Sequence, residues 1–234
     1  MCKCFQLIKV ICDELKIKSW YGVSFVQENG VDKWHKSIME RDGQIVNYEH
    51  ILYADLNKTE EEIWQSLRPR YKSYVNKGIC AWNVYVVDKY DCQIFEKYKQ
   101  YHHKISGRIT RSKETWDMQL EALKNGEGFM IFVEDQNSEI VGATYFINSK
   151  SEVFYLSGAF NRDLFQFPLS HIVQYKAIIY SKSVGLKRYK IGERFYNNGK
   201  HKPTNKELSI ADFKEGFQTN TYINLYTRLS LESM

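Results

Sequence analysis

The chain contains no apolar run close to the roughly 20 residues that a membrane-spanning helix requires. Near its start, an apolar stretch is interrupted by Lys9 and followed by Asp13 and Glu14, which argues against a signal peptide. The five cysteines are an odd number and make no disulfide framework. Together these absences predict a cytoplasmic protein in a reducing environment, without a membrane span.

Repeats, low-complexity segments and a recognisable metal site are also missing. Cys2, Cys4 and Cys12 lie close together, but no second Cys/His pair follows at the spacing of a zinc site. Hydrophobic residues make up 43% of the chain and aromatic residues 15%, which excludes a disordered protein. We therefore expect a globular protein of one large or two small domains, with no metal.

The net charge of +5 is concentrated in two stretches of the second half. Residues 97–113 contain six Lys or Arg, two His and no acidic residue. Residues 187–206 contain seven Lys or Arg, with Glu193 as the only acidic residue. Such stretches favour an anionic ligand, for example a phosphate-bearing cofactor, a nucleotide sugar or tRNA, although each could also be a solvated basic face.

Residues 1–90 are predicted to form a small, shortened α/β unit. Strand-like runs occur at 5–11, 21–26 and 44–56, and Thr59 with Glu62 has the spacing of a capping box that starts a helix. Pro69 interrupts that helix, so a kink or two separate helices are expected. A second domain is predicted over residues 91–234.

The second domain has a clear order of elements: two helices, a three-strand meander, a crossover helix, a strand, a short helix and a last strand. The alternation and helical spacing place these elements at Cys92–Ser106, Lys113–Asn125, Phe129–Val133, Ile140–Asn148, Val153–Phe160, Pro168–Val184, Lys187–Glu193, Ser209–Lys214 and Tyr222–Leu231.

The strand–helix–strand segment Val153–Glu193 is the centre of this domain. Pro168 suits the first helical turn, and Gly185 suits a left-handed stop after the last turn. A unit of this length predicts a right-handed crossover between parallel strands. Ligands bind at the carboxyl ends of such strands, where Gly158 and Asn161, the helix start and Glu193 are expected to meet.

Two residues there are candidate general bases. Glu193 ends the second parallel strand, although a salt-bridged carboxylate with no catalytic role is an alternative. His171 lies in the first turn of the helix, where the helix dipole lowers a histidine pKa; a packed histidine is the alternative. The backbone N–H groups of Leu169 and Ser170 are expected to be unpaired and to bind an anion.

The loop Gly107–Ser112 has a polar, basic sequence, GRITRS. Arg108, Thr110 and Arg111 are candidates for binding a phosphate or carboxylate, because arginine forks bind these groups bidentately.

Four segments carry a resemblance to a known family: DLNKTEEEIWQSLRPRYKSYVNKG, FEKYKQYHHKISGRITRSKETWDMQLEALKNGEGFMIFV, SGAFNRDLFQFPLSHIVQYKAIIYSKSVGLKRYKIGE and LSIADFKEGFQTN. With the element order, they resemble the GNAT-like domain of FemAB-related acyltransferases, which include peptidoglycan bridge-forming aminoacyltransferases. The resemblance covers roughly residues 50–220 and implies a GNAT-like mixed sheet. The sequence departs from the family in its short first half, in lacking a long helical-hairpin insertion, and in lacking the glycine-rich pyrophosphate signature at SGAFNRDLFQF.

The resemblance implies an acyltransferase that modifies an amine of a cell-envelope or polysaccharide precursor, such as an amino sugar or a muropeptide. Acyl-CoA is the favoured donor, and aminoacyl-tRNA is the alternative. A non-catalytic GNAT-like binding module is the alternative of another class. A cleft filled by Phe160, Phe165 and Phe167 would favour the module, and an open cleft would favour the enzyme.

Overall fold

The computed structural model describes residues 19–27, 30–31, 44–196 and 202–230, and the strand expected at 5–11 lies outside them. The chain divides into two compact units. The smaller unit takes its described residues from 1–51, 193–203 and 221–234, and the larger unit comprises 52–192 and 204–220. Residues 52–90, which the sequence assigned to the N-terminal unit, thus cluster with the larger unit. A separate domain over residues 1–90 stays a prediction.

The smaller unit contains antiparallel strands. β1 (Ser19–Gln27) pairs with β2 (Gly30–Val31) and with β9 (Asn220–Ser230). β3 (Gln44–Asp55) lies next to β9, which gives the strand order β2, β1, β9, β3. The strands expected near 21–26, 44–56 and 222–231 are confirmed.

Two helices begin the larger unit, α1 (Glu60–Ser66) and α2 (Pro69–Ala81). The capping box at α1 is present: the Thr59 hydroxyl accepts from the Glu62 N–H at 3.2 Å, and the Glu62 carboxylate accepts from the Thr59 N–H at 2.7 Å. Pro69 is the first residue of α2, where its missing N–H breaks no helical bond. It therefore separates two helices, which is one of the two expected outcomes.

The remaining elements follow in the predicted order. They are β4 (Asn83–Val87), α3 (Cys92–Ser106), α4 (Lys113–Lys124), β5 (Gly128–Glu134), β6 (Ile140–Asn148), β7 (Glu152–Phe160), a 3-10 turn (Arg162–Leu164), α5 (Leu169–Ser183), β8 (Arg188–Arg194) and α6 (Asn205–Glu215).

The strand order of the larger unit is β3, β8, β7, β6, β5, β4. β4 to β7 form an antiparallel meander, and β8 pairs with β7 in parallel. The predicted mixed α/β sheet with a central parallel crossover is confirmed.

Side chains alternate along the strands and form a separate core on each face of the sheet. On β5, Phe129 and Ile131 pack on the face covered by α1, α2 and α5, and Met130 and Phe132 on the face covered by α3 and α4. Each such buried side chain contributes about 1.5–3 kcal/mol to folding. The first face also buries Leu52, Ile63, Leu67, Tyr71, Phe146, Leu169, Val173 and Phe217, and the second buries Phe95, Tyr98, Trp116, Leu123 and Tyr145.

Two helix boundaries differ from the prediction. α5 begins at Leu169, because Pro168 has a non-helical ψ of 48° and acts as the N-cap. α6 begins at Asn205, four residues before the expected start, because Thr204 and Glu207 form a capping box. The spacing of those two residues is a signal that the sequence interpretation missed. Gly185 has the expected left-handed conformation, with φ of 84°.

Candidate active site

The parallel strands β7 and β8 are paired only at their beginnings. The register joins Glu152 to Arg188, Val153 to Tyr189 and Phe154 to Lys190, whereas β7 continues to Phe160. Peptide groups on this edge of β7 beyond Phe154 are therefore outside the pairing. The strands separate toward their carboxyl ends, which is where ligands bind in sheets of this kind.

A β-bulge lies in β7 at the point where the two strands separate. Tyr145 is opposite Ser157 and Phe146 is opposite Tyr155, so Leu156 is the extra residue. Bulges are enriched next to active sites because they redirect side chains and interrupt pairing. Unpaired N–H groups at such a position can bind the carbonyl oxygen of an acyl group.

Gly158 lies just after the bulge and is tightly packed. A Cβ at this position would collide with the Tyr155 hydroxyl and would lie 2.9 Å from Cγ2 of Thr144. Burial raises the pKa of Tyr155, so its hydroxyl is protonated at neutral pH. The structure thus explains the glycine by packing, and its predicted contact with a ligand stays a prediction.

The N-terminus of α5 presents two unpaired N–H groups. The Leu169 N–H donates to the Phe167 carbonyl at 2.9 Å, and Leu169 is buried, so the prediction that its N–H is unpaired is wrong. The N–H groups of Ser170 and His171 find no acceptor within the part of the chain that the structure describes. The N–H groups without an acceptor are thus those of Ser170 and His171, and anion binding at the helix start stays a prediction.

His171 is enclosed by aromatic rings. Its ring centroid lies 4.6 Å from that of Tyr71, 4.8 Å from Tyr74 and 5.1 Å from Phe213. Burial, together with the charge of Arg70, lowers the pKa of His171 to about 4, so the ring is neutral at pH 7. His171 is therefore packed, as in the alternative to the general-base prediction. A catalytic role for His171 stays a prediction.

Glu193 belongs to the smaller unit, whereas the other predicted site residues belong to the larger one. Its side chain is half-buried. The two neighbouring cations make contacts of their own: the Lys190 ammonium lies 5.4 Å from the Phe154 ring centroid, and the Arg194 guanidinium lies 5.2 Å from that of Tyr196. The role of Glu193 as general base stays a prediction.

Arg111 in the basic loop packs against α3 and α4. Its Nη1 donates to Nε2 of the buried His102 at 2.9 Å and to the Thr110 hydroxyl at 3.2 Å. Its guanidinium also lies 5.3 Å from the Trp116 ring centroid. Because an arginine can only donate, Nε2 of His102 must be an acceptor, and the ring proton is on Nδ1. The Ser106 and Thr110 hydroxyls lie 3.4 Å from Nδ1.

The three predicted residues of this loop therefore differ in their surroundings. Arg111 and Thr110 hold the loop on His102, and burial followed by the Arg111 charge lowers the pKa of His102 to about 4. Arg108 is exposed and makes no hydrogen bond or ion pair with any described residue. Ligand contact by Arg108, Thr110 and Arg111 stays a prediction, and Arg108 is the guanidinium most available for it.

The loop after β7 is ordered by Asn161. Its side-chain oxygen accepts from the Asp163 N–H at 3.1 Å, and its own N–H donates to the Val141 carbonyl at 2.9 Å. Phe165 and Phe167 in this loop are 62% and 46% exposed. These two aromatic side chains therefore do not fill a cleft.

Lys214 is a residue near the site that sequence reasoning missed. Gly192 of β8 has φ of 144°, and a Cβ there would lie 3.2 Å from Cδ and Cε of Lys214. The lysine thus crosses closely over the backbone of β8 near its carboxyl end. A glycine inside a strand is a sequence signal for such a close approach.

The described residues contain neither a cluster of metal-binding side chains nor a membrane-spanning helix. No group of three or more His, Cys, Asp or Glu side chains could hold a metal ion there. No helix in the described ranges is long and apolar enough to cross a membrane.

Comparison with known proteins identifies the fold. No protein-family model and no curated protein matches the sequence. Among solved structures, FemX has a TM-score of 0.76 at 13% identity, covering 97% of this chain and 76% of FemX. L-PGS from Bacillus licheniformis has a TM-score of 0.58 at 10% identity, covering 97% and 72%. The C-terminal domain of a protein named as a lysylphosphatidylglycerol synthetase from Agrobacterium fabrum has a TM-score of 0.59 at 10% identity. The match covers 97% of this chain and 73% of that domain. The chain therefore has the fold that these three structures share.

Proposed function

We propose that the protein is an acyltransferase that moves an acyl group from an activated donor to an amine. One observation carries this proposal: the parallel strands β7 and β8 separate after three residue pairs, beside a bulge in β7, and α5, whose first turn has N–H groups without an acceptor among the described residues, follows β7 in the chain. In a FemAB-related GNAT-like fold, this combination supplies donors for a carbonyl oxygen and donors for an anion.

The chemistry assigns a task to each group. The amine nitrogen attacks the acyl carbonyl carbon, forms the C–N bond and expels the leaving group of the donor. N–H groups at the bulge stabilise the negative charge that develops on the carbonyl oxygen. The Ser170 and His171 N–H groups bind a phosphate of the donor. Glu193 accepts the proton that the amine loses.

The resemblance of the sequence to FemAB-related acyltransferases supports an acceptor amine on a cell-envelope or polysaccharide precursor in the cytoplasm, on an amino sugar or a muropeptide. Acyl-CoA is the donor we favour, because the sequence lacks the long helical-hairpin insertion that some tRNA-dependent members of the family use. Aminoacyl-tRNA is the second candidate. The exposure of Phe165 and Phe167 supports an enzyme over a non-catalytic module, although Phe160 is partly buried and packs against the core.

Removing the Ser170 N–H tests the donor site. Proline lacks this N–H and is tolerated in the first turn of a helix, so Ser170→Pro should fold. Ser170→Ala is the matched control, since it keeps the N–H and loses only the hydroxyl. We expect Ser170→Pro to weaken binding of acetyl-CoA about tenfold, or ~1.4 kcal/mol, in calorimetric titrations. Equal affinity of the two variants would place the donor elsewhere.

Salt dependence separates the two donors. Binding of duplex nucleic acid loses about 0.9 log units of affinity per log unit of salt for each phosphate contact. A CoA thioester has a compact phosphate group at one helix end, so its salt dependence should be shallow. We expect measurable acyl-CoA binding with a shallow slope and only weak tRNA binding. Tight binding of one charged tRNA, without binding of any acyl-CoA, would reverse the choice of donor.

A further inference from the structure

A groove of about 360 Å³ lies in the larger unit, outside the gap between β7 and β8. The last turn of α3 forms one wall with Tyr101 and Lys104, the start of β6 contributes Ile140, and the 3-10 turn after β7 contributes Arg162 and Asp163. Its volume is within the range of small-molecule sites. The groove follows directly from the carboxyl end of β7.

The charges in the groove are not neutralised by the protein. The Lys104 ammonium and the Arg162 guanidinium are exposed and have no ion-pair partner among the described residues. Asp163 is the only carboxylate in the lining, so two cations face one anion. This imbalance favours an anionic ligand.

Tyr101 provides a second, independent observation. The residue is only 8% exposed, and its buried hydroxyl has no acceptor for its proton in the described part of the chain. The nearby Asn161 N–H is already engaged with the Val141 carbonyl at 2.9 Å. Burial raises the pKa of Tyr101 to about 12, an effect that the Asn161 backbone opposes, so the hydroxyl keeps its proton at neutral pH. A buried hydroxyl without an acceptor for its proton is costly, and an oxygen of a ligand would satisfy it.

We propose that this groove binds an oxyanion, a carboxylate or a phosphate, on the acceptor substrate. Lys104 and Arg162 neutralise its charge, the Tyr101 hydroxyl donates a hydrogen bond to it, and Ile140 contacts the apolar part of the molecule. The assignment to the acceptor rests on the proposed acyl transfer: a molecule anchored here would have its amine directed toward the open end of β7.

Binding of two simple probes to the full chain tests the groove. Inorganic phosphate represents a phosphate group and N-acetylglycine a carboxylate, each titrated by ligand-observed NMR. We expect Arg162→Gln and Lys104→Gln each to weaken binding about tenfold. Lys97→Gln is the matched control, because Lys97 is an exposed lysine of α3 outside the groove. Saturable binding of phosphate alone or of N-acetylglycine alone identifies the oxyanion.

Tyr101→Phe separates a binding role from a structural one. Because its hydroxyl proton has no acceptor in the described protein, removing it should leave the melting temperature unchanged or raise it, while weakening probe binding several-fold. A lowered melting temperature with unchanged affinity would make Tyr101 purely structural and overturn its role.

Two outcomes would overturn the site as a whole: no saturable binding of either probe, or equal weakening by Lys97→Gln and Arg162→Gln. Failure of the groove proposal can be distinguished from failure of the proposed acyl transfer, because donor binding is measured separately with the Ser170 variants. Loss of groove binding with intact donor binding rejects the groove alone.

Discussion

Replacing Arg111 by Ala should destabilise the protein, although Arg111 belongs to a loop that the sequence presents as a ligand site. The substitution removes the 2.9 Å bond to Nε2 of His102 and the contact with Trp116. His102 is only 5% exposed, so its ring nitrogen would lose its hydrogen-bond donor inside the protein. The expected loss is about 2 kcal/mol of unfolding free energy at pH 7. For a domain of this size, that lowers the melting temperature by roughly 4–8 °C.

The unfolding free energy of the Arg111→Ala variant should also fall less in acid than that of the unchanged protein. The pKa of His102 is about 4 in the folded protein against 6.5 in the unfolded chain. The unfolded chain therefore binds a proton first, and the stability associated with His102 is full above pH 6.5 and is lost as the pH falls toward 4. Arg111 is the second cause of this lowered pKa, after burial. Without Arg111 the pKa of His102 rises, so the stability difference between the two proteins should narrow by about 0.3–0.5 kcal/mol between pH 7 and pH 5.

Thermal melts followed by circular dichroism at several pH values would measure both effects. Arg108→Ala is the matched control: it removes an exposed arginine of the same loop that has no partner in the described structure, and it should leave the melting temperature nearly unchanged. His171, whose pKa is also about 4, contributes equally to both proteins and cancels in the comparison. An unchanged melting temperature at pH 7, or a difference that widens in acid, would refute the reasoning.

Three further predictions concern single substitutions. Glu193→Gln should lower acyl transfer ~100- to 10,000-fold without changing the circular dichroism spectrum, and near-normal turnover would exclude Glu193 as the base. Gly78→Ala should destabilise the protein by ~1–3 kcal/mol in urea unfolding, because the added Cβ would lie 2.7 Å from Cβ of Ile172. At an exposed helix position the same substitution would increase stability, so a more stable variant would contradict the packing argument. Tyr189→Phe removes a 2.5 Å bond to the buried Gln174 amide and should cost ~1–3 kcal/mol, whereas an unchanged urea midpoint would show that this bond contributes nothing.

The sequence contains enough information for the order of elements, because that order depends on local patterns. The helical spacing from Leu169 to Tyr180 and the alternation along β5 each reflect burial on a defined face. Pro69 marks a helix start because of its missing N–H, which is also a local property.

The candidate site depends on contacts that no local pattern contains. Arg111 turns inward because His102, nine residues earlier, offers a buried acceptor. Lys214 reaches Gly192 from a helix that follows in the chain. The Leu169 N–H, predicted to be unpaired, donates to the Phe167 carbonyl, which leaves the N–H groups of Ser170 and His171 without an acceptor among the described residues. Such contacts depend on tertiary packing. A local sequence pattern can name candidate residues, but it does not identify the partners that they contact.

The bulge at Leu156 lets residues two apart in β7 face opposite sides of the sheet. Before it, Val153 and Tyr155 face the α5 layer, and after it, Ser157 faces the α3 layer, where its hydroxyl lies 2.5 Å from that of Tyr98. Deleting Leu156 would remove the bulge and restore regular alternation, with Tyr155 and Ser157 on their present faces, so a chain shortened by this one residue should still fold.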